Sequence, residues 1–229
     1  MQGMQGEFPA EPWRLRGDLY AGLWLVPAAR MPHWPLPDGA RPLSVAGRRM
    51  VVLFWADYRP EGVLAYREWL VALPVRHGRT VAATAVQAWV DSEPSRAGGR
   101  ALWAVPKEPA EITFTPVGTP PGRGGVLTRL RATTRDPETG EADATGVYDR
   151  DVLRWPWRPA VRAYLLQRAA DGTHRRVPLY LRGRPAWGRA RLTADPRGPL
   201  GYLAGRTPVA ALAVRDFVFV VGRSGRSSG

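Results

Sequence analysis

Residues 89–114 read WVDSEPSRAGGRALWAVPKEPAEITF, and runs of strand character lie at both ends of this stretch. Thr80 to Val90 (TVAATAVQAWV) and Ala110 to Pro116 (AEITFTP) are short and rich in β-branched and aromatic residues, which suit the pleated, half-buried surface of a sheet. Between them, Asp91 and Glu93 read as a structural turn capping the first strand. A Gly99-Arg100 step follows, and then Lys107, set among Leu102, Trp103, Ala104, Val105 and Pro106.

The same strand signal recurs outward in both directions. Met50 to Trp55 (MVVLFW), Gly125 to Thr133 (GVLTRLRAT) and Asp216 to Val221 (DFVFVV) are strand-sized and apolar or alternating. Pro120 to Gly125 and Asp136 to Gly140 carry loop chemistry, and Asp171-Gly172 sits between Ala163 to Arg168 and Arg176 to Arg182, as in a hairpin. Pro208 to Val214 (PVAALAV) is the best helix candidate; Arg14 to Val26 fits a helix or a strand. The sum is an α+β, mainly antiparallel β protein with few short helices, built as a barrel or sandwich. Prolines and glycines are spread evenly, so residues 1–221 read as a single domain. The Gly222 to Gly229 tail (GRSGRSSG) reads as disordered.

Composition narrows the function classes. The 229 residues include no cysteine, which excludes disulfides, thiolate metal sites and a cysteine nucleophile. His33, His77 and His174 share no metal-ligand spacing, so no metal site is expected. No phosphate-binding glycine loop or nucleotide fingerprint appears, so no cofactor is expected either. A formal charge of +13 would suit a polyanion, yet the arginines are scattered and form no basic run, so no specific nucleic-acid partner follows. Apolar runs are strand-sized and the N-terminal residues hold no signal-like apolar segment, which gives the expectation of a cytoplasmic protein without a membrane span.

Lys and Arg together number 33, and Lys107 is the only lysine. A position that needs only positive charge is satisfied by arginine. A position that needs a neutral amine is not, because arginine stays protonated in proteins. The surviving lysine therefore reads either as chance or as a nucleophile.

Two stretches carry a resemblance that bears on this choice: Gly62 to Val75 (GVLAYREWLVALPV), with a Tyr-x-Glu segment leading into a Pro-Val strand, and Trp89 to Phe114, with Asp-x-Glu and then Gly99-Arg100 followed by Pro106-Lys107. The chain resembles the acetoacetate decarboxylase superfamily, most strongly in these central stretches and more weakly from Gly17 to the end. The resemblance implies a closed cone-like β-barrel with a flanking sheet, a homo-oligomer, and Lys107 as the amine that forms a Schiff base with a carbonyl substrate. A lysine at its ordinary pKa of about 10.4 is neutral in fewer than about one molecule per thousand at pH 7. Burial in an apolar pocket disfavours the charged form, and this family is the standard example of such activation.

The resemblance further places Glu68 as the catalytic partner of Lys107; the alternative for Glu68 is a surface carboxylate paired with an arginine. Tyr66 and Trp103 become candidate substrate contacts, with ordinary core packing as the alternative for each. The family's N-terminal arginine falls near Gly17, which leaves Arg16 to hold a substrate carboxylate. A second family glutamate falls near Leu53 or Trp55 and is absent, and a second lysine is replaced by Glu108. The implied function is a Schiff-base lyase that decarboxylates a small β-keto or 2-oxo acid through an iminium and enamine. An aldolase-dehydratase using the same lysine is the alternative; a non-catalytic small-ligand-binding β-barrel is the alternative of another class.

Overall fold

In the computed structural model, which describes residues 8–117, 129–138, 140–154 and 157–223, the chain is mostly strand. The elements of the N-terminal half are β1 (Trp13–Pro27), β2 (Ala40–Pro42), β3 (Ser44–Val45), β4 (Arg48–Tyr58), β5 (Tyr66–His77), β6 (Thr80–Val90), α1 (Glu93–Trp103) and β7 (Lys107–Pro109). They are followed by β8 (Glu111–Pro116), β9 (Arg129–Arg135), β10 (Ala142–Arg154), β11 (Ala160–Arg168), β12 (His174–Ala194) and β13 (Ala210–Val221).

One sheet contains all these strands, and part of it closes on itself. Strands β6, β5, β4, β1, β13 and β12 are neighbours in that order, and β11 pairs with both β12 and β6, completing a ring. Past β12, the strands β10, β9 and β8 continue as a flanking sheet. Where a closed barrel was expected, there is a ring of strands within a larger sheet, of mixed direction because β6 meets β11 and β7 in parallel.

The ring gives β5 two buried faces, which is why its sequence is apolar without strict alternation. Tyr66, Leu70 and Ala72 point into the ring, while Trp69, Val71, Leu73 and Val75 pack outward under the flanking sheet. The same division holds on β4, where Ala56 and Tyr58 face inward and Val51, Leu53 and Trp55 outward. Trp55 stacks on Trp69 at 5.5 Å between centroids, and both are fully buried.

The seam between β6 and β11 holds a single backbone pair, Leu165 with Ala83. A side chain reinforces it. The buried Gln167 amide accepts from Ala85 N at 2.8 Å and donates to Ala85 O at 3.0 Å and to Ala104 O at 3.1 Å. Thr84 Oγ1 adds a bond to Leu166 O at 2.9 Å. Gln167 thereby substitutes for ladder bonds that the parallel approach does not make.

Two expectations are corrected and one open alternative is resolved. Pro208 to Val214 is not a helix: residues from Ala210 onward form β13, in which Ala211 and Ala213 enter the outer core and Val214 the inner one. Small apolar residues serve both faces of a ring strand, and a run of them looks helical. Arg14 to Val26 is resolved as strand β1. In the other direction, α1 occupies the segment read as a turn. Ser92 caps it, accepting from Ser95 N, and a proline sits in its first turn, a regular helix start obscured by the glycine pair that follows. The hairpin at Asp171-Gly172 is as expected, with Gly172 at φ +82. The strand expected from Gly125 is described only from Arg129, and the Pro120 to Gly125 loop and residues 224–229 of the tail lie outside the described residues. Among the described residues no helix is long and apolar enough to cross a membrane.

Candidate active site

The Lys107 side chain enters the ring from β7, and the local sequence explains how. Helix α1 ends at Ala104 in the left-handed conformation, turning the chain so that β7 lies parallel to β6 with Lys107 opposite Ala88. Arg100 fastens the turn: its Nε donates to Lys107 O at 2.6 Å and its Nη2 pairs with Glu108. Gly99 leaves room for the lysine stem, since a Cβ there would lie 2.6 Å from Lys107 Cδ. The Gly-Arg-x5-Pro-Lys spacing is thus a device for threading one long side chain past a helix.

Inside the ring Lys107 is 3% exposed and Glu68 4%. Lys107 Nζ lies 2.8 Å from Glu68 Oε1 and 2.9 Å from Ser95 Oγ, with Tyr66 Oη at 3.5 Å. Apart from this ion pair, Glu68 Oε1 makes no hydrogen bond among the described residues. The other carboxylate oxygen is held: Tyr58 Oη donates to Oε2 at 2.9 Å. Burial, and after it the Glu68 charge, push the Tyr58 and Tyr66 hydroxyls well above the ordinary phenol range, so both remain protonated. The two rings pack at 4.5 Å between centroids.

Lys107, Glu68, Tyr58 and Tyr66 border a cavity of about 110 Å³ whose remaining wall is apolar, including Leu15, Phe54, Leu70, Trp103, Val105 and Phe219. An engineered apolar cavity of about 150 Å³ admits benzene, so this space suits a ligand of only a few heavy atoms. The ion pair therefore adjoins a void.

Of the residues singled out in the sequence, Lys107, Glu68, Tyr66 and Trp103 come together here. Trp103 is wall: its Nε1 is engaged by Glu11 Oε2 at 2.9 Å, and it meets Trp13 edge-on at 4.7 Å. Arg16 does not join them. It is exposed on the opposite face of β1 from Leu15, and among the described residues no arginine lines the cavity. Gly17 cannot be an arginine in this backbone, because its Cβ would stand 1.9 Å from Asp57 O. Leu53 and Trp55 point into the outer core, and the cavity-facing residue between them is Phe54. Glu108, half-exposed, points away toward Arg100. Asp91 is structural, accepting from Arg67 N at 2.6 Å, whereas Glu93 lies in the first turn of α1 and pairs with Arg96. The fold does bring His77 and His174 together, with ring centroids 6.5 Å apart, but among the described residues no group of three acidic or histidine side chains is placed to hold a metal.

Two residues of the cluster escaped the sequence reading. Ser95 lay in the presumed turn, and its role depends on α1, whose capping serine and proline were the available signal. Tyr58 lies opposite Tyr66 across the β4–β5 pair, a register visible only once the strands are paired.

The sequence model described as acetoacetate decarboxylase matches residues 36–177. Among solved structures, the acetoacetate decarboxylase from Legionella pneumophila is similar at a TM-score of 0.67 and 15% identity, covering 99% of this chain and 91% of that one. The enduracididine biosynthesis enzyme MppR complexed with pyruvate gives a TM-score of 0.67 at 18% identity, over 98% of this chain and 93% of the other. An acetoacetate decarboxylase-like enzyme from Sphingomonas wittichii RW1 gives 0.62 at 16% identity, over 97% and 96%. At these identities the likeness is one of fold. No curated protein matches the chain by sequence.

Proposed function

Because the chain belongs to the acetoacetate decarboxylase family, we propose that it is an imine-forming carbon–carbon lyase in which Lys107 condenses with the carbonyl group of a small substrate. The observation that carries this reading is a buried primary amine, 2.8 Å from a buried carboxylate, facing a small apolar cavity.

The chain's own groups supply the proton traffic. Ammonium with carboxylate and amine with carboxylic acid have the same net charge, so a proton passes between Lys107 and Glu68 without charging the cavity. In the second form the amine adds to the carbonyl carbon, and the carbinolamine loses water as Glu68 returns its proton to the leaving hydroxyl. The product is an iminium beside a carboxylate. The iminium draws electrons from the adjacent carbon, and Glu68 Oε1, which among the described residues makes no hydrogen bond beyond the ion pair with Lys107, receives or returns the proton there. Tyr58 holds Oε2, fixing the carboxylate so that the same oxygen faces the reacting atoms throughout. Loss of carbon dioxide from a β-keto acid and aldol-type bond formation or cleavage on a 2-oxo acid or aldehyde are two outcomes of one enamine.

Cyanoborohydride reduction in the presence of butanone tests the reading. A stable mass increase that maps to Lys107 and vanishes in Lys107→Arg is expected. A folded protein that acquires no label with any small ketone or aldehyde would instead be a non-catalytic binding ring.

A further inference from the structure

We infer that the cavity selects carbonyl compounds that carry no carboxylate, so that the substrate is a small uncharged aldehyde or ketone with hydrocarbon substituents. The inference rests on the proposal that Lys107 forms an imine.

Among the described residues the charges that face the cavity are two, Lys107 and Glu68, and they are already paired at 2.8 Å. The other polar groups in its lining are the Tyr58 and Tyr66 hydroxyls, held protonated by burial. Tyr58 donates its proton to Glu68, and Lys107 Nζ is also engaged by Ser95 Oγ at 2.9 Å. Arginines are abundant in the sequence, yet none among the described residues lines this space: Arg16 is exposed, and Arg100 is spent on Lys107 O and Glu108.

Charge balance then separates the two kinds of substrate. With an uncharged carbonyl compound, amine plus carboxylic acid become iminium plus carboxylate and one water, and the cavity stays neutral. When Glu68 takes the α-proton, the products are a neutral enamine and a neutral acid, again balanced. A substrate carboxylate adds one negative charge at every stage. Beside it stand Glu68 and an apolar wall; the Tyr66 O–H can donate one hydrogen bond to it, but among the described residues no further cation faces the cavity to balance the charge. A buried charge without a partner is costly, and two carboxylates sharing a site repel. Of the two outcomes above, the one that needs no carboxylate, aldol-type chemistry on aldehydes and ketones, is the one this cavity fits.

Pyruvamide and pyruvate test this, since they present the same keto group in nearly the same volume and differ in charge. Each is incubated with the full-length protein and cyanoborohydride, and the label on Lys107 is read by mass spectrometry and divided by the label on free butylamine under the same conditions. The normalised yield with pyruvamide is expected to exceed that with pyruvate by about tenfold or more, the factor that corresponds to about 1.4 kcal/mol. Equal or greater labelling by pyruvate overturns the inference and leaves imine formation standing. Labelling by neither, nor by butanone, overturns imine formation itself and the inference with it.

Discussion

Ser95 Oγ and Lys107 Nζ lie 2.9 Å apart, and the serine reaches the lysine from the first turn of α1, where its own backbone N–H is held by the Ser92 hydroxyl. A fully buried hydroxyl facing the amine positions it. Replacing Ser95 by Ala leaves a buried N–H of Lys107 without its partner, at a cost of about 1–3 kcal/mol. We expect a lower denaturation midpoint and slower labelling of Lys107 by butanone and cyanoborohydride. Labelling at the parental rate would show that the serine has no part in orienting the amine.

Gly99→Ala sets two effects of opposite sign against each other. Alanine favours a helix over glycine by about 1 kcal/mol, but overpacking a full interior costs about 1–3 kcal/mol. The added methyl would stand 2.6 Å from Lys107 Cδ and 2.7 Å from Cε, so the clash should win and push the amine off its line to Glu68. Chemical denaturation should show a net loss of stability, with labelling of Lys107 reduced by about tenfold, the equivalent of about 1.4 kcal/mol.

The Tyr58 and Tyr66 hydroxyls stay protonated in the folded state above the range in which free phenols titrate. The unfolded chain binds fewer protons there than the folded one, so their contribution to stability is complete below about pH 10 and declines as pH rises beyond it. Spectrophotometric titration should reveal tyrosines that ionise only on unfolding, with one fewer in Tyr66→Phe. Ordinary titration of every tyrosine in the folded protein would refute the placement.

Gln167→Leu removes the amide that bonds both backbone groups of Ala85 and the carbonyl of Ala104 at the ring's seam. Each buried group left unpaired costs about 1–3 kcal/mol, so the variant should lose several kcal/mol, a large part of a domain's total stability. Hydrogen exchange at Ala83 and Ala85 should rise relative to β4. A stability within about 0.5 kcal/mol of the parent, the usual range for inconsequential surface changes, would show that the seam holds without the clamp.

The sequence by itself determined the kind of protein this is. Strand-forming runs and turn residues are local properties, so a mainly antiparallel β chain was legible. So was the amine, because one lysine among so many arginines sits at the Gly-Arg…Pro-Lys spacing. Pairing decided the rest. A strand with two buried faces does not alternate, so β13 looked helical and nothing local told which of Phe54 and Trp55 meets the cavity. Arg16 is close to the ring in sequence yet lies outside it, since successive side chains of a strand point to opposite faces and one residue of register exchanges inside for outside. Tyr58, Ser95 and Gln167 work through partners between 10 and 82 residues away. What the cavity holds among the described residues, one cation matched by one carboxylate beside two tyrosine hydroxyls and an apolar wall, is therefore a property of ring closure, because burial is fixed only when all seven strands of the ring are in place.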